Sequence, residues 1–395
     1  MDDIIKILVK NNFKALYILE KPLADAFNIH KPDQKINYNK ITIATNAKEK
    51  DLVNLFPEIS NNNILSKDFT YTFKYYEKSD LDNNLYDINL AKDFTLNTLV
   101  KDCNDNIIDF NFKHRNKTIS AIEDIKHKLI RCINYNRNYI DGKVILKAIY
   151  YASKYDFIIE PQTLKLFKKN IDLVHSLSNK DYILLLNLIL KEKYLKKGID
   201  YLNELNVFDK PNHEFLKDLD FTILYDKNTN LKTIEIWTLL IKHNITLQNK
   251  LLELEYFNKT NIAKIDWLIK HFDIINSNDK LSIYNSREGI VKTEGLFRLK
   301  ELLLYLCNIH NTLDSNNKVK SERLMFKFYS RPYFYNQIKL KDSEFVKLAN
   351  KELSYNEMIQ IKENFLRKLV LSDKFPKDEK YNKLASEAVN EIILN

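Results

Sequence analysis

Residues Arg137 to Leu164 read RNYIDGKVILKAIYYASKYDFIIEPQTL, and at this stretch the chain changes its hydrophobic period. Val144, Ile145, Ala148, Ile149 and Ala152 recur at the three- and four-residue spacing that lines one face of an α-helix. Upstream the rhythm differs. Short runs rich in β-branched and aromatic residues, at 15–19, 41–45, 69–76 and 106–110, are interleaved with helical stretches, as in an α/β region. From about Ile122 onward the helical pattern returns repeatedly to the end of the chain. The expected fold class is α+β, with a mixed first third and helical remaining two thirds.

Composition bounds the rest. With 395 residues, 45% of them hydrophobic, the chain has material for two or three domains with buried cores. Lys and Arg number 62 against 53 Asp and Glu, a net charge of +9 that suits a polyanionic partner or an ordinary lysine-rich surface. Cys103, Cys132 and Cys307 are too few and too far apart for a disulfide framework or a four-cysteine zinc site, so a cytoplasmic location is expected. The start, Met1-Asp2-Asp3-Ile4-Ile5-Lys6, does not read as a signal peptide, and no apolar run reaches membrane-spanning length. All four glycines, Gly142, Gly198, Gly289 and Gly295, fall after the first third, which excludes a phosphate-binding glycine loop or dinucleotide fingerprint there.

Four segments in order carry a family resemblance. Ala91-Lys92-Asp93-Phe94-Thr95-Leu96-Asn97-Thr98-Leu99 resembles the Arg-Arg-Asp-Phe-Thr-Ile-Asn-Ala-Leu motif of class II RNA nucleotidyltransferases, the bacterial poly(A) polymerases and CCA-adding enzymes. Asn106-Ile107-Ile108-Asp109, Ile122-Glu123-Asp124-Ile125 and Leu129-Ile130-Arg131 follow at the family's spacing. Residues 137–164 resemble the family's neck helix, RFREDPLRILRAIRFAAKLGFEIEPETL. Ile41-Thr42-Ile43-Ala44-Thr45-Asn46-Ala47 resembles its catalytic strand, Asp-Ile-Asp-Ile-Ala-Thr-Asp-Ala. A further similarity at 330–340 leans toward the poly(A) polymerase branch. The resemblance implies a nucleotidyltransferase-type head over 1–125, a helical neck over 126–190, and a helical body and tail over 191–395 that grip RNA.

The same resemblance exposes what is missing. Nucleotidyl transfer to an RNA 3′ hydroxyl uses two magnesium ions, which need hard oxygen ligands. The family supplies two aspartates one residue apart on a strand, where alternate side chains share a face. Those positions here are Lys40 and Thr42, an ammonium and a neutral hydroxyl. The family's Gly-Gly-x-Val-Arg-Asp turn, which brings backbone amides to the triphosphate, aligns with Glu20-Lys21-Pro22-Leu23-Ala24-Asp25. The base-reading Glu-Asp-x-x-Arg aligns with Ile140-Asp141-Gly142-Lys143-Val144, so only Asp141 remains. The degenerate nucleotide site implied by the resemblance comprises Lys21, Asp25, Lys92, Asp93, Asn97 and Asp141, without a metal or cofactor. The expected function is that of an RNA-binding relative without catalysis. The alternative is an active, divergent enzyme using Mg2+ and ATP.

Other features are weighed beside it. Between Lys318 and Lys341, basic Lys318, Lys320, Arg323, Lys327, Arg331 and Lys339 alternate with aromatics including Tyr333, a pattern that neutralises phosphates and stacks unpaired bases. An amphipathic tail helix with a wet lysine face explains it equally well. The expected partner is RNA, as a single-stranded 3′ end or tRNA, with a protein partner also open. Lys191, Lys193, Lys196 and Lys197 read as the solvated face of a helix ending near Gly198. Cys307 and His310 lack the second pair a metal site needs. Leu-Ile-Lys-His recurs at 240–243 and 268–271 beside Trp237 and Trp267, which reads as two similar amphipathic helices and not a repeat array.

Overall fold

The computed structural model describes residues 4–30, 38–66, 68–83, 93–110, 112–114, 117–135, 140–225, 231–243, 247–275, 296–329, 338–371 and 378–393. It divides into two compact units, Met1–Thr229 and Asn230–Asn395. The architecture is α+β, a sheet-bearing head followed by helices, as the change of period predicts.

The first unit opens with α1 (Ile4–Lys10), β1 (Ala15–Ile18), α2 (Glu20–His30), β2 (Lys40–Thr45), α3 (Glu49–Leu55), β3 (Asn63–Leu65), β4 (Thr70–Tyr75) and α4 (Lys78–Asn83). A 3-10 turn at Thr95–Thr98 leads to β5 (Val100–Lys101), β6 (Ile107–Ile108), β7 (Phe112–His114), β8 (Lys117–Ile119), α5 (Ala121–Lys126) and β9 (Leu129–Ile130). Six strands form one sheet in the order β3-β4-β2-β1-β5-β6. Its β2 and β4 run parallel, with Thr42 opposite Thr72, while β1 is antiparallel to β2, with Ile18 opposite Thr42.

Strand alternation divides the core between the two faces of the sheet. Ile41, Ile43, Tyr17 and Phe73 pack with Ile5 and Leu8 of α1 and Leu52 of α3. On the other face Ile18, Ala44, Leu81 and Val100 form a smaller cluster. Lys40 and Thr42 belong to this second face.

Within the expected neck, 126–190, lies α6 (Gly142–Tyr155), whose Val144, Ile145, Ala148, Ile149 and Ala152 are all buried. β10 (Ile158–Ile159) then returns to pair in parallel with β9, stitching the neck to the end of the head. Helices α7 (Pro161–Lys169), α8 (Asp172–His175), α9 (Asn179–Ile189) and α10 (Leu195–Glu204) follow, then three 3-10 turns up to Leu224. The lysine-bearing helix does not end at Gly198. That glycine lies inside α10, where a Cβ would meet Ser153 Oγ of α6 at 2.2 Å, while Lys191 and Lys193 precede the helix.

The second unit contains α11 (Thr233–Ile241), α12 (Leu247–Glu253), α13 (Lys259–Lys270), α14 (Leu296–Leu313), α15 (Lys318–Tyr329), α16 (Asp342–Ala349), α17 (Tyr355–Leu371) and α18 (Asp378–Ile393). Trp267, Leu302, Leu306 and Leu324 share one hydrophobic cluster. Phe345, Phe365, Leu369 and Val389 share another. Among the described residues no helix is long and apolar enough to cross a membrane.

Candidate functional site

Thr42 sits mid-strand, 1% exposed, with its hydroxyl unpartnered among the described residues. Its neighbours across the sheet are Ile18 and Thr72, and Thr72 donates its own hydroxyl to Asn63 Oδ1 at 2.7 Å. Lys40 stands exposed at the start of the same strand. A magnesium ion asks for an octahedron of oxygen ligands, usually anchored by carboxylates. This face offers a cation, two threonines and an isoleucine. Among the described residues no three His, Cys, Asp or Glu side chains gather as a metal-binding group. The donor set does not fit the family's metal pair.

The turn before α2 has also changed character. Leu19 adopts a left-handed φ of 65°, a conformation that a bulky side chain takes only under strain. Glu20 then opens the helix with one carboxylate oxygen, Oε2, buried and without a partner among the described residues. One turn on, Lys21 Nζ donates to Asp25 Oδ2 at 3.1 Å and to Tyr38 Oη at 3.0 Å, and Lys101 Nζ reaches the same Asp25 oxygen at 2.7 Å. Burial favours the neutral amine of Lys21, but its bonds to Tyr38 and Asp25 outweigh that and hold the ammonium above its usual pKa. Lys101 is in register with Tyr17, so this cluster lies toward the face opposite Thr42. Lys21 and Asp25 are brought together, but with each other as partners.

Asp93 and Asn97 do face the neck. Lys147, where the family's neck pattern has an arginine, donates to Asp93 Oδ2 at 2.9 Å. Tyr151 donates its hydroxyl to Asn97 Oδ1 at 3.3 Å. Tyr151 also stacks on Tyr155 and meets Phe94 edge-on, and burial raises its hydroxyl's pKa strongly. Asp141 is exposed and serves as the N-cap of α6, its Oδ1 accepting the Val144 N–H at 2.8 Å. That geometry answers the orphan amides of a helix start. Lys92 lies outside the described residues.

A second set of motif residues forms a buried network that sequence reading passed over. Thr95 Oγ1 donates to Asp124 Oδ2 at 2.7 Å, and Arg131 Nε bonds both Asp124 oxygens at 3.1 Å. Arg131 Nη1 reaches Glu160 Oε1 at 3.3 Å, while Glu160 Oε2 accepts the N–H of Thr163 at 2.7 Å and its hydroxyl at 2.9 Å. Asp124 is 3% and Glu160 7% exposed. Burial raises the Asp124 carboxyl's pKa against the pull of Thr95 and Arg131. Asp109 plays a similar scaffolding part, accepting from Ser120 Oγ at 2.6 Å and from the Ile122 N–H at 2.9 Å at the start of α5. The signal available for all of them was their place in the motifs of residues 91–131 and 137–164.

In the second unit, Lys318, Lys320 and Arg323 are exposed on α15, while Ser321 and Leu324 of the same helix are buried. Lys339 is exposed too, and its backbone N–H donates to Tyr381 Oη at 3.0 Å. The Lys327 side chain, Arg331 and Tyr333 lie outside the described residues. His310 bonds the Phe272 carbonyl at 2.6 Å and Cys307 contacts the Ser321 carbonyl, so each has its own backbone partner. Trp237 is fully buried against Tyr256 and Phe257, and Trp267 stacks on His271.

No model of a protein family matches the sequence. The CCA-adding enzyme of Pediococcus pentosaceus is 22% identical over 211 residues, 51% of this chain, and the match likewise spans about half the length of that relative, 51%. The Bacillus stearothermophilus CCA-adding enzyme, solved in complex with CTP, superposes with a TM-score of 0.67 at 14% identity, covering 98% of this chain and 96% of that one. The Thermotoga maritima CCA-adding enzyme, solved with a tRNA, gives 0.51 at 15% identity over 97% and 93%. The chain has the fold of CCA-adding enzymes. Sequence and fold similarity together support a relationship to the class II RNA nucleotidyltransferases.

Proposed function

We propose that this chain is an RNA-binding relative of the CCA-adding and poly(A)-adding nucleotidyltransferases that performs no nucleotidyl transfer. The observation that carries the reading is the face of β2. Where two carboxylates would hold cations stand an exposed ammonium, Lys40, and a buried hydroxyl, Thr42, flanked by Ile18 and Thr72. A metal placed there meets repulsion and one weak neutral ligand. The groups expected to hold nucleotide support the same reading. Asp93 and Asn97 are engaged by Lys147 and Tyr151, Asp25 by two lysines, and Asp141 by its own helix start.

RNA binding rests on the similarity to enzymes of RNA, on the net charge of +9 and on the exposed Lys318, Lys320 and Arg323. The partner is a single-stranded 3′ end or a tRNA, bound chiefly through its phosphates. Fluorescence anisotropy with a labelled single-stranded RNA and a tRNA transcript tests this. Submicromolar binding at low salt that weakens steeply with added salt is expected. Negligible affinity at low salt would redirect the reading to a protein partner. Calorimetric titration of ATP or CTP with Mg2+ should show no metal-dependent binding, and a metal-dependent nucleotide site would favour the active, divergent enzyme.

A further inference from the structure

A cavity of about 370 Å³ opens on the head where the parallel strands β2 and β4 end, a volume within the range of small-ligand sites. Buried Ala47, Leu52 and Phe73 line it together with exposed Asn62 and Tyr75. Phe73 and Tyr75 pair with Ile43 and Thr45 across β2, so this cavity lies on the opposite side of the sheet from Thr42 and belongs to no part of the site described above. The carboxyl ends of parallel strands, outside the sheet, are where α/β folds commonly accept ligands.

Three properties point to the kind of ligand. Tyr75 is 45% exposed, yet its hydroxyl donates to Glu77 Oε1 at 2.8 Å, which fixes the ring while leaving a face open. Phe73 is held below by stacking on Phe56, with ring centroids 5.9 Å apart. Asn62, held in a left-handed turn at φ 58°, has its backbone carbonyl engaged by the Phe73 N–H at 2.9 Å, but its side-chain amide is unengaged among the described residues. An exposed aromatic ring beside an amide without a partner among the described residues, donor and acceptor side by side, matches the flat face and polar edge of a heterocycle. Lys48 and Glu49 at the rim carry opposite charges, so the cavity selects for no anion.

We propose that this cavity is a subsite for an unpaired nucleobase, stacked on Tyr75 and read along its edge by Asn62. An aromatic side chain of a protein would stack equally well but leave the amide unpaired as water is excluded, which costs free energy. The subsite stands on its own geometry and does not depend on RNA binding through the lysines of α15.

Titrating the full chain with adenosine and with cytidine by NMR or calorimetry tests it. Binding in the millimolar range is expected, insensitive to salt. Tyr75→Ala should weaken it roughly tenfold or more, as loss of a base–aromatic stack does, and Tyr75→Phe should retain it. Asn62→Gly, which suits the left-handed backbone, should also weaken it. Lys126→Ala, at an exposed ion pair with Glu123, should change nothing. The proposal is overturned by absence of nucleoside binding, by equal binding of N-acetyl-tyrosinamide, or by binding that survives Tyr75→Ala. Because nucleosides carry no phosphate, a negative result here leaves the salt-dependent RNA binding proposed above to stand or fall separately.

Discussion

At the scale of single residues, Arg131 shows what holds the frame together. Its guanidinium touches both Asp124 and Glu160, carboxylates that are almost wholly buried. Replacing it by Met leaves two buried charges unpaired, which costs about 3–5 kcal/mol. Arg131→Met should therefore lower the denaturation midpoint sharply, whereas Lys126→Ala, which breaks an exposed pair with Glu123, should stay within about 0.5 kcal/mol. Denaturant unfolding of both variants checks the contrast. At this scale the strand carrying Lys40 and Thr42 was legible in the sequence, while their place in a site comes from the resemblance to the family's catalytic strand. The roles of Asp141 and Asp93 were not. An aspartate just before a helix is equally a base reader in a family motif and an N-cap in general physics, and only coordinates show Val144 N–H on its carboxylate. Lys147 and Asp93 lie far apart in sequence and meet only through the fold.

Helices α6, α8 and α10 set the constraints at the scale of elements. Gly142 opens α6 where an added Cβ would sit 2.3 Å from the Leu173 carbonyl oxygen of α8. Backbone cannot yield as a side-chain tip does, so Gly142→Ala should cost about 1–3 kcal/mol or more. Gly198→Ala meets the Ser153 hydroxyl instead, and pairing it with Ser153→Ala should recover part of the loss. Thermal unfolding of the two singles and the double mutant measures both. The helical body also carries a pH response. His213, 1% exposed beside Asn179, has its pKa pushed down from 6.5 to about 4 by burial and by Lys210. The unfolded chain then takes up the proton first, so stability is lost as pH falls from 6.5 toward 4, by on the order of 3 kcal/mol. His213→Gln should flatten that limb of a stability–pH curve. The helices and the longer strands were legible because several residues repeat one period. The two-residue strands β9 and β10 were not, since Leu129-Ile130 and Ile158-Ile159 are too short to show a period and are defined by their pairing.

Across the whole molecule, the resemblance to the nucleotidyltransferases divides by role. Thr95, Asp109, Asp124, Arg131 and Glu160 bond into the frame that joins sheet, turn and neck. On the proposed reading, Lys40, Thr42, Glu20 and Val144 occupy the positions that the resemblance assigns to cations, triphosphate and base. The frame's bonds serve stability whether or not a nucleotide binds, which is why the proposed loss of catalysis is compatible with the fold. If binding of RNA is electrostatic, Lys318→Ala, Lys320→Ala and Arg323→Ala together should weaken it at all sequences alike and lower the salt slope by roughly 3. Anisotropy across a salt series reads this directly. The central claim, a retained scaffold without nucleotidyl transfer, is tested most directly by incubating the purified chain with a labelled tRNA lacking its 3′ end and a single-stranded RNA, with Mg2+ or Mn2+ and each nucleotide triphosphate. The expected result is no extension above a protein-free control; metal-dependent extension that disappears with Asp93→Ala or Asp141→Ala would contradict it.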